Sequence, residues 1–331
     1  MKTNIDKSKR FYINIWDDCN LRCKHCFNES GKVRGKLLSH SEIIDLIDDA
    51  CDCIGIKEVQ MTGGEPTQRP DLFKIIRKLQ QKEIKIILQT NGVFGSTLTN
   101  EILKLPEEST SLIVSLDGIE TNDYFRGKGS TDKIINNLEI LSKKFNIRIN
   151  TLLSSRIKWS EVETLSQLTK KLGLTLAFNP ICPSGRASSS LLMPPNKYFE
   201  WMHKLENLRK EGVRIRKCFD FIDNHLVENE ECPVRKGTSI HIAADGDTYP
   251  CGFLVNNPIC FSGSIRELSL TELMKRIPHC CKVLPQNCRG CDFYANGYCH
   301  GGCPARIYSL YKRFDEVDMY CMAKYFQQNK K

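Results

Sequence analysis

Strand-like and helix-like segments alternate through the first two-thirds of the chain, and this alternation constrains its fold more than any other feature. Short apolar runs with the composition of buried strands are separated by amphipathic segments with the 3.6-residue period of helices. The strand-like runs are residues 11–16, 57–64, 84–92, 111–118, 147–154 and 174–181. The helix-like segments between them are residues 39–55, 71–82, 131–145 and 161–173. Because strands joined through helices lie parallel, the pattern predicts an α/β fold.

Six strand–helix units are too few to close an eight-stranded barrel, so we expect a partial (β/α)6 barrel similar to a TIM barrel, with its active site at the carboxyl ends of the strands. A loop at 183–196 and a helix at 197–212 are predicted to follow. Beyond them, ten cysteines occur in the last hundred residues and long periodic segments become scarce. The sequence therefore predicts two domains, the partial barrel at 1–212 and a small cysteine-rich α+β domain at 213–331.

The composition limits the compartment and the partners. No secretory signal and no apolar run of about 18 residues occurs, so we expect a cytoplasmic protein without a membrane span. In a reducing compartment, 17 cysteines indicate metal or iron–sulfur ligation rather than disulfides. The net charge of +9 would suit nucleic-acid binding, but the lysines are spread along the chain as on an ordinary solvated surface. We therefore expect no nucleic-acid partner.

Three cysteines, Cys19, Cys23 and Cys26, lie in one loop directly after the first strand. A structural zinc site takes four ligands, whereas a [4Fe–4S] cluster held by three thiolates keeps one iron with a free coordination position. Free positions serve catalysis. The sequence therefore predicts a catalytic iron–sulfur cluster at the mouth of the barrel, and a zinc site completed by His25 is the alternative.

The Cys-x3-Cys-x2-Cys spacing after the first strand resembles that of the radical S-adenosylmethionine (SAM) superfamily, and the resemblance covers nearly the whole chain. It implies that SAM binds to the free iron. It also implies reductive cleavage of SAM to a 5′-deoxyadenosyl radical that abstracts a hydrogen atom from the substrate, with a reductant such as flavodoxin or ferredoxin. The chain would then be an oxidoreductase- or epimerase-type enzyme.

The turn after the second strand resembles that family's methionine-binding motif. It consists of Gly63, Gly64 and Glu65 followed by proline. Glycines allow the backbone to approach a ligand closely, and a glutamate accepts hydrogen bonds from an ammonium group. The resemblance also implies that His25, which precedes the third cysteine, packs on the adenine of SAM.

Three further residues are implied to contact SAM. Ser115, at the end of the fourth strand, would bond a ribose hydroxyl. Arg126 matches the place of a family arginine that pairs with the SAM carboxylate, for which a guanidinium is well suited. A surface arginine is the alternative there. Asn150, in the fifth strand, is a candidate for contact with the ribose or the sulfonium.

The late cysteines resemble the SPASM domain, which holds two auxiliary iron–sulfur clusters in peptide-modifying relatives. Carried over by position, one cluster would be held by Cys288, Cys291, Cys299 and Cys321. The other would be held by Cys232, Cys251 and Cys303. The fourth position of that second cluster stays open: it is vacant, it is taken by Cys260 or a non-cysteine group, or the cluster is [2Fe–2S]. A pair of zinc ribbons in a binding protein is the alternative.

The resemblance implies maturation of a ribosomally synthesised peptide, by a thioether or carbon–carbon crosslink or by epimerisation. The alternative is epimerisation or dehydrogenation of a small-molecule natural product such as an aminoglycoside-like sugar. Because the first strand begins at Phe11, we expect any leader-peptide-binding domain on a separate protein. Sulfatase-maturing relatives carry a catalytic aspartate where this chain has Gly252. Cys182, at the end of the sixth strand, is a candidate hydrogen-atom donor, and a packed loop cysteine is the alternative.

Overall fold

A sheet of parallel strands forms the body of the protein. The computed structural model describes residues 10–31, 35–216 and 232–328. Six strands pair in chain order: β1 (Arg10–Trp16), β2 (Glu58–Gly63), β3 (Lys85–Thr90), β4 (Thr110–Ser115), β5 (Asn146–Leu153) and β6 (Thr175–Pro180). A two-residue strand, β7 (Ile215–Arg216), pairs in parallel with β6. The predicted α/β class and parallel six-stranded barrel are confirmed.

Helices cover the outer face of this sheet. They are α1 (His40–Ile54), α2 (Leu72–Gln80), α3 (Ser96–Leu103), α4 (Glu120–Arg126), α5 (Ser130–Leu141), α6 (Trp159–Leu172) and α7 (Pro195–Lys210). The sequence did not predict α3 and α4, which have only eight and seven residues, too few to show a helical period clearly. The predicted loop at 183–196 contains a single 3₁₀ turn, Ser189–Leu191.

The cysteine-rich region consists of short elements. These are α8 (Pro233–Lys236), β8 (His241–Ile242), β9 (Asp247–Tyr249), β10 (Gly263–Ser264), α9 (Leu270–Lys275), α10 (Asp292–Ala295), α11 (Pro304–Tyr311) and α12 (Met322–Gln328). Strand β8 pairs in parallel with β1, β9 pairs antiparallel with β8, and β10 pairs with β9. The sheet therefore has ten strands and continues from the barrel into this region. The predicted boundary between two domains, at residues 212 and 213, stays a prediction.

Alternation along each strand separates the core from the cavity. On β5, Ile147 and Ile149 are buried on one face and pack in the main core, whereas Arg148, Asn150 and Leu152 lie on the other face and are half-buried. The same period places Gln60, Gln89 and Ser115 on the inner face. The polar residues of apolar strands thus gather inside the barrel. No helix in the described ranges is long and apolar enough to cross a membrane.

A buried histidine predicts a pH dependence of stability. His241 on β8 is 7% exposed, and burial lowers its pKa from 6.5 to about 4. Between these values the unfolded chain binds a proton that the folded chain does not, so the free energy of unfolding falls as the pH falls. We expect His241 to account for a loss of roughly 1.4 kcal/mol between about pH 7.5 and about pH 5.5.

The measurement compares chemical unfolding of the wild type and a His241→Phe variant over that range, under anaerobic conditions. The phenylalanine keeps the ring volume but cannot bind a proton, so its unfolding free energy is expected to vary less with pH. Equal pH slopes for the two proteins would contradict this account.

Candidate active site at the carboxyl ends of the strands

A cavity of about 710 Å³ opens inside the barrel at the carboxyl ends of the strands. It brings together most of the residues that the sequence singled out. Those that line it are Cys19, Cys23, His25, Cys26, Gly63, Gly64, Ser115, Arg126, Asn150, Cys182, Cys232, Cys299 and Cys303. Those that do not line it are Glu65, Cys251, Cys288, Cys291 and Cys321. The cavity size is in the range of sites for cofactors and small ligands.

The three thiols of the N-terminal loop line this cavity, and N–H donors lie close to the sulfur atom of Cys19. The backbone N–H of Leu21 donates to Cys19 Sγ at 3.4 Å, and Asn91 Nδ2 is 3.7 Å from the same sulfur. Cys26 Sγ is 3.7 Å from Ser30 Oγ. Among the described side chains, no three from His, Cys, Asp and Glu form a group that could hold a single metal ion. Three soft donors around an open cavity, with N–H groups aimed at sulfur, fit a cluster.

A buried charged group lies beside these thiols. Asp117 Oδ2 accepts from Arg126 Nη2 at 2.7 Å and lies 3.1 Å from His25 Nε2. Burial alone would raise the pKa of Asp117, but Arg126, His25 and the backbone N–H of Leu152 together hold it well below its usual range. The carboxylate therefore stays ionised and keeps Arg126 charged at the cavity wall.

The same carboxylate orients His25. Nε2 of His25 lies 3.1 Å from Asp117 Oδ2, and nothing in the described part of the chain bonds to the buried Nδ1. A buried ring nitrogen without a partner suits a ligand that can hydrogen-bond to it, such as an adenine ring. The sequence analysis missed Asp117, although an ionisable residue directly after a buried strand is a signal that could have identified it.

Glu65 holds protein groups in this structure. Its Oε1 accepts from the backbone N–H and the hydroxyl of Thr67 and from the hydroxyl of Thr90, at 3.1, 2.6 and 2.7 Å. Its Oε2 accepts from the backbone N–H of Asn91 at 2.7 Å. Glu65 thus joins the turn after β2 to the end of β3. Its predicted contact with the SAM ammonium stays a prediction.

The two glycines of the same turn allow backbone to pack against backbone. A Cβ on Gly63 would lie 2.2 Å from the carbonyl oxygen of Trp16, and one on Gly64 would lie 2.1 Å from that of Asp18. Gly64 N also donates to Trp16 O at 2.6 Å. The turn after β2 is therefore pressed against the residues that lead into the cysteine loop. A side chain at either glycine would separate them.

Arg186 was not identified from the sequence, yet it binds the backbone of the cysteine loop. Its Nε donates to Cys23 O at 2.9 Å, its Nη1 to Ser30 O at 3.0 Å, and its backbone N–H to Cys26 O at 2.9 Å. Gly185, with φ of +59°, lies so close that a Cβ would be 2.4 Å from Phe27 O. The loop after β6 is thus a support for the three cysteines. An arginine in a loop carries no sequence signal of this role.

The C-terminal cysteines form two groups. Cys288, Cys291, Cys299 and Cys321 line a separate cavity of about 120 Å³. The pKa of Cys288 rises to about 11, mainly through burial and then through the charges of Cys299 and Cys321. The second group contains Cys232, Cys251 and Cys303. The pKa values of Cys232 and Cys251 are raised, first by burial and then by the charge of Cys303. The grouping matches the predicted division into two ligand sets, whose metal binding stays a prediction.

Comparison with known proteins identifies the family. A model described as the radical SAM superfamily matches residues 13–168. Residues 13–168 are thus a radical SAM domain. Its relatives include the AdoMet-dependent heme synthase of Methanosarcina barkeri, which is 29% identical over 340 residues and covers 92% of this chain and 93% of that protein. The mycofactocin maturase MftC of Mycobacterium tuberculosis is 25% identical, covering 92% and 80%.

Solved structures share the fold. SuiB of Streptococcus suis with bound S-adenosylmethionine superimposes with a TM-score of 0.75 at 14% identity, covering 93% of this chain and 76% of that one. The enzyme anSMEcpe with bound AdoMet gives 0.75 at 20% identity, covering 96% and 95%. The radical SAM match over residues 13–168 supports S-adenosylmethionine and a [4Fe–4S] cluster as cofactors.

The three cysteines of the N-terminal loop are expected to hold the cluster that cleaves SAM. A Cys19→Ala, Cys23→Ala, Cys26→Ala variant, reconstituted without oxygen, should bind about four fewer irons per chain and form no 5′-deoxyadenosine with dithionite. The control replaces two cysteines of α1, half-buried Cys51 and exposed Cys53, which lie away from the cavity. Retained SAM cleavage in the triple variant would contradict the assignment.

Gly185→Ala is expected to displace the cysteine loop. Gly55→Ala is the matched control, because both glycines have φ in the left-handed region, +59° and +73°, and nothing lies within 4 Å of a Cβ at Gly55. Both variants carry the same backbone strain, but only Gly185→Ala overlaps Phe27 O, for a further loss of about 1–3 kcal/mol. Thermal unfolding and iron retention on gel filtration measure the difference. Equal losses in the two variants would show that the close approach does not support the loop.

Proposed function

We propose that this radical SAM protein matures a ribosomally synthesised peptide by abstracting a hydrogen atom from one of its residues. The observation that carries the proposal is the continuous cavity that the N-terminal cysteine loop shares with Cys182, Cys232 and Cys303. A substrate group in it would lie between the site of radical formation and a second group of thiols. That position suits a reaction in which the substrate first loses a hydrogen atom and then an electron.

The walls of the cavity suit a peptide. Five carboxamides line it, among them those of Gln60, Gln89 and Asn179. Gln60 Nε2 donates to Gln89 Oε1 at 2.6 Å, and the buried Oε1 of Gln60 has no partner in the described part of the chain. A carboxamide offers the donor and acceptor that a peptide group requires. These side chains are therefore suited to hold the backbone of an extended substrate.

When bound, SAM and the [4Fe–4S] cluster supply a 5′-deoxyadenosyl radical, with an electron from a reductant such as flavodoxin or ferredoxin. The residues of the chain bind and orient the cofactor. Arg126, kept charged by Asp117, would pair with the SAM carboxylate, and His25 would present its ring and free Nδ1 to the adenine. Ser115 and Asn150, on neighbouring strands of the inner face, would hold the ribose.

Relatives support a peptide substrate over the full length of the chain. MftC is named as a mycofactocin maturase, SuiB has been solved with its precursor peptide SuiA, and anSMEcpe has been solved with a peptide. On this proposal residues 213–331 form a SPASM domain whose auxiliary clusters serve as electron acceptors. A separate leader-peptide-binding protein would present the substrate.

Two outcomes are open to a substrate radical. A thioether or carbon–carbon crosslink removes a second electron and a proton, and the product is two hydrogens lighter than the substrate. Epimerisation instead returns a hydrogen atom, for which the thiol of Cys182 at the cavity wall is the candidate donor. Gly252 provides no carboxylate base at the position where sulfatase-maturing relatives carry one, so oxidation through that base is not expected here. We place the crosslink first because the cavity also borders Cys232 and Cys303, where the proposed auxiliary cluster would accept the second electron.

A small-molecule substrate is the second candidate. The alignment with the heme synthase covers 93% of that protein. A GTP 3′,8-cyclase of Clostridium perfringens is 28% identical, and its alignment covers 81% of this chain and 79% of the cyclase. Epimerisation or dehydrogenation of a sugar-like or tetrapyrrole natural product belongs to this class. The same cavity would hold it.

The test combines the reconstituted enzyme, SAM and dithionite with a peptide encoded by a short reading frame beside the gene. We expect the peptide to stimulate 5′-deoxyadenosine formation and to lose two hydrogens by mass spectrometry. An unchanged mass in H2O with one deuterium gained in D2O would indicate epimerisation. The control peptide carries alanine at the modified residue. Stimulation by a sugar or tetrapyrrole but by no peptide would overturn the proposal.

A further inference from the structure

Cys182 is distant in sequence from the C-terminal cysteines but lies among three of them in the structure. It follows the end of β6 by two residues, and its side chain is 5% exposed. It lines the main cavity together with Cys232 and Cys303. It also belongs to a buried apolar cluster that includes Cys260 and Cys281, against which Cys232, Cys251, Cys280 and Cys303 pack. Cys182 thus lies in one region with the three cysteines predicted to hold the second auxiliary cluster.

Electrostatic interactions place the same thiols near one another. The pKa of Cys182 is raised by burial and then by the charge of Cys303, and Cys251 interacts with the charges of Cys303, Cys232 and Cys182.

We propose that Cys182 is the fourth thiolate ligand of the auxiliary cluster predicted at Cys232, Cys251 and Cys303. The inference rests on the proposed function in so far as that function places an auxiliary cluster there. It supplies the ligand that the C-terminal sequence lacks, from a loop of the barrel. With four cysteines the cluster has the ligand set of closed [4Fe–4S] centres.

The other candidate ligand in the described residues is directed elsewhere. Cys260 Sγ is 3.6 Å from Cys281 Sγ, which is 3.9 Å from Cys280 Sγ. These three thiols lie next to one another and form their own group. Cys218 lies outside the described residues, so it is included in the test.

The helix that follows Cys303 fixes the geometry around Cys182. Cys182 Sγ is 3.8 Å from Ser309 Oγ on α11. Cys303 N donates to Asp318 Oδ2 at 2.7 Å, and the same carboxylate pairs with buried Arg306 at 2.6 Å. Arg306 lines the cavity, and its positive charge lowers the pKa of Cys182. A fixed cation beside four thiolates offsets part of the negative charge of a closed cluster.

The ligand role has a consequence for the reaction. A thiolate bound to iron has no hydrogen atom to donate, so Cys182 cannot also return a hydrogen atom to a substrate radical. A closed cluster also has no free iron for the substrate. The cluster would then accept an electron from the substrate radical, as a crosslinking reaction requires, and the peptide would not bind to its iron.

The experiment uses the full chain with Cys19, Cys23 and Cys26 replaced by alanine, so that only auxiliary clusters remain. This parent should hold about eight irons. Cys182→Ala is added to it, and in separate variants Cys260→Ala or Cys218→Ala. We expect Cys182→Ala alone to change the EPR spectrum of the reduced protein and to allow ¹³C-cyanide to bind with a resolved ¹³C hyperfine coupling. Cys182→Ser, which offers an oxygen ligand, should again exclude cyanide.

Several results would overturn the proposal. An unchanged spectrum and no cyanide coupling in Cys182→Ala would leave the thiol free for hydrogen donation. A change in Cys218→Ala or Cys260→Ala, but not in Cys182→Ala, would assign the ligand to that residue. A parent that binds no iron would remove the cluster and with it this inference, whereas peptide turnover by the wild type tests the proposed function separately.

Discussion

The backbone of the N-terminal cysteine loop is held by hydrogen bonds from other loops, and the rest of the site depends on this. These bonds join the loop to the residues after β2, to α4 and to the residues after β6. In most of them an N–H group donates to a carbonyl oxygen of residues 16–30. The donors to these carbonyls are Gly64 N, Glu65 N, and the side chain and backbone of Arg186. Lys24 N in turn donates to Phe125 O. Three thiols can share one cluster only if their backbone is fixed, and these bonds hold it in place.

A buried ion pair provides the second constraint. Asp117 is fully buried and Arg126 nearly so, and breaking such a pair typically costs about 3–5 kcal/mol because one charge is left alone. The pair also has an electrostatic effect: burial raises the pKa of Cys23, and the charge of Arg126 offsets part of that rise. The cation thus favours a cluster thiolate while Asp117 keeps the cation in place.

Much of the fold was predictable because its strands and longer helices follow simple periods. The polar inner face was predictable from strand alternation, and the three cysteines from their spacing. Contacts between loops could not be predicted from the sequence. Examples are the contacts of Arg186 with the cysteine loop and the position of Cys182 among thiols that are distant in sequence. Neither has a local pattern, because each role depends on how β6 and α11 are arranged in space. The short helices α3 and α4 were missed for a related reason, since they are stabilised by packing more than by their own sequence.

The pairing of β8 with β1 makes the cysteine-rich region an extension of the barrel sheet. Strand β1 leads directly into the N-terminal cysteine loop, and β8 and β9 lead into Cys251. The separation between the two cysteine centres is therefore set by backbone hydrogen bonds across adjacent strands. Electron tunnelling depends steeply on distance, so this arrangement would hold the rate between the centres constant while substrates come and go. A chain cut before β8 would lose that fixed spacing and would leave β1 as an unpaired edge, open to association with other strands.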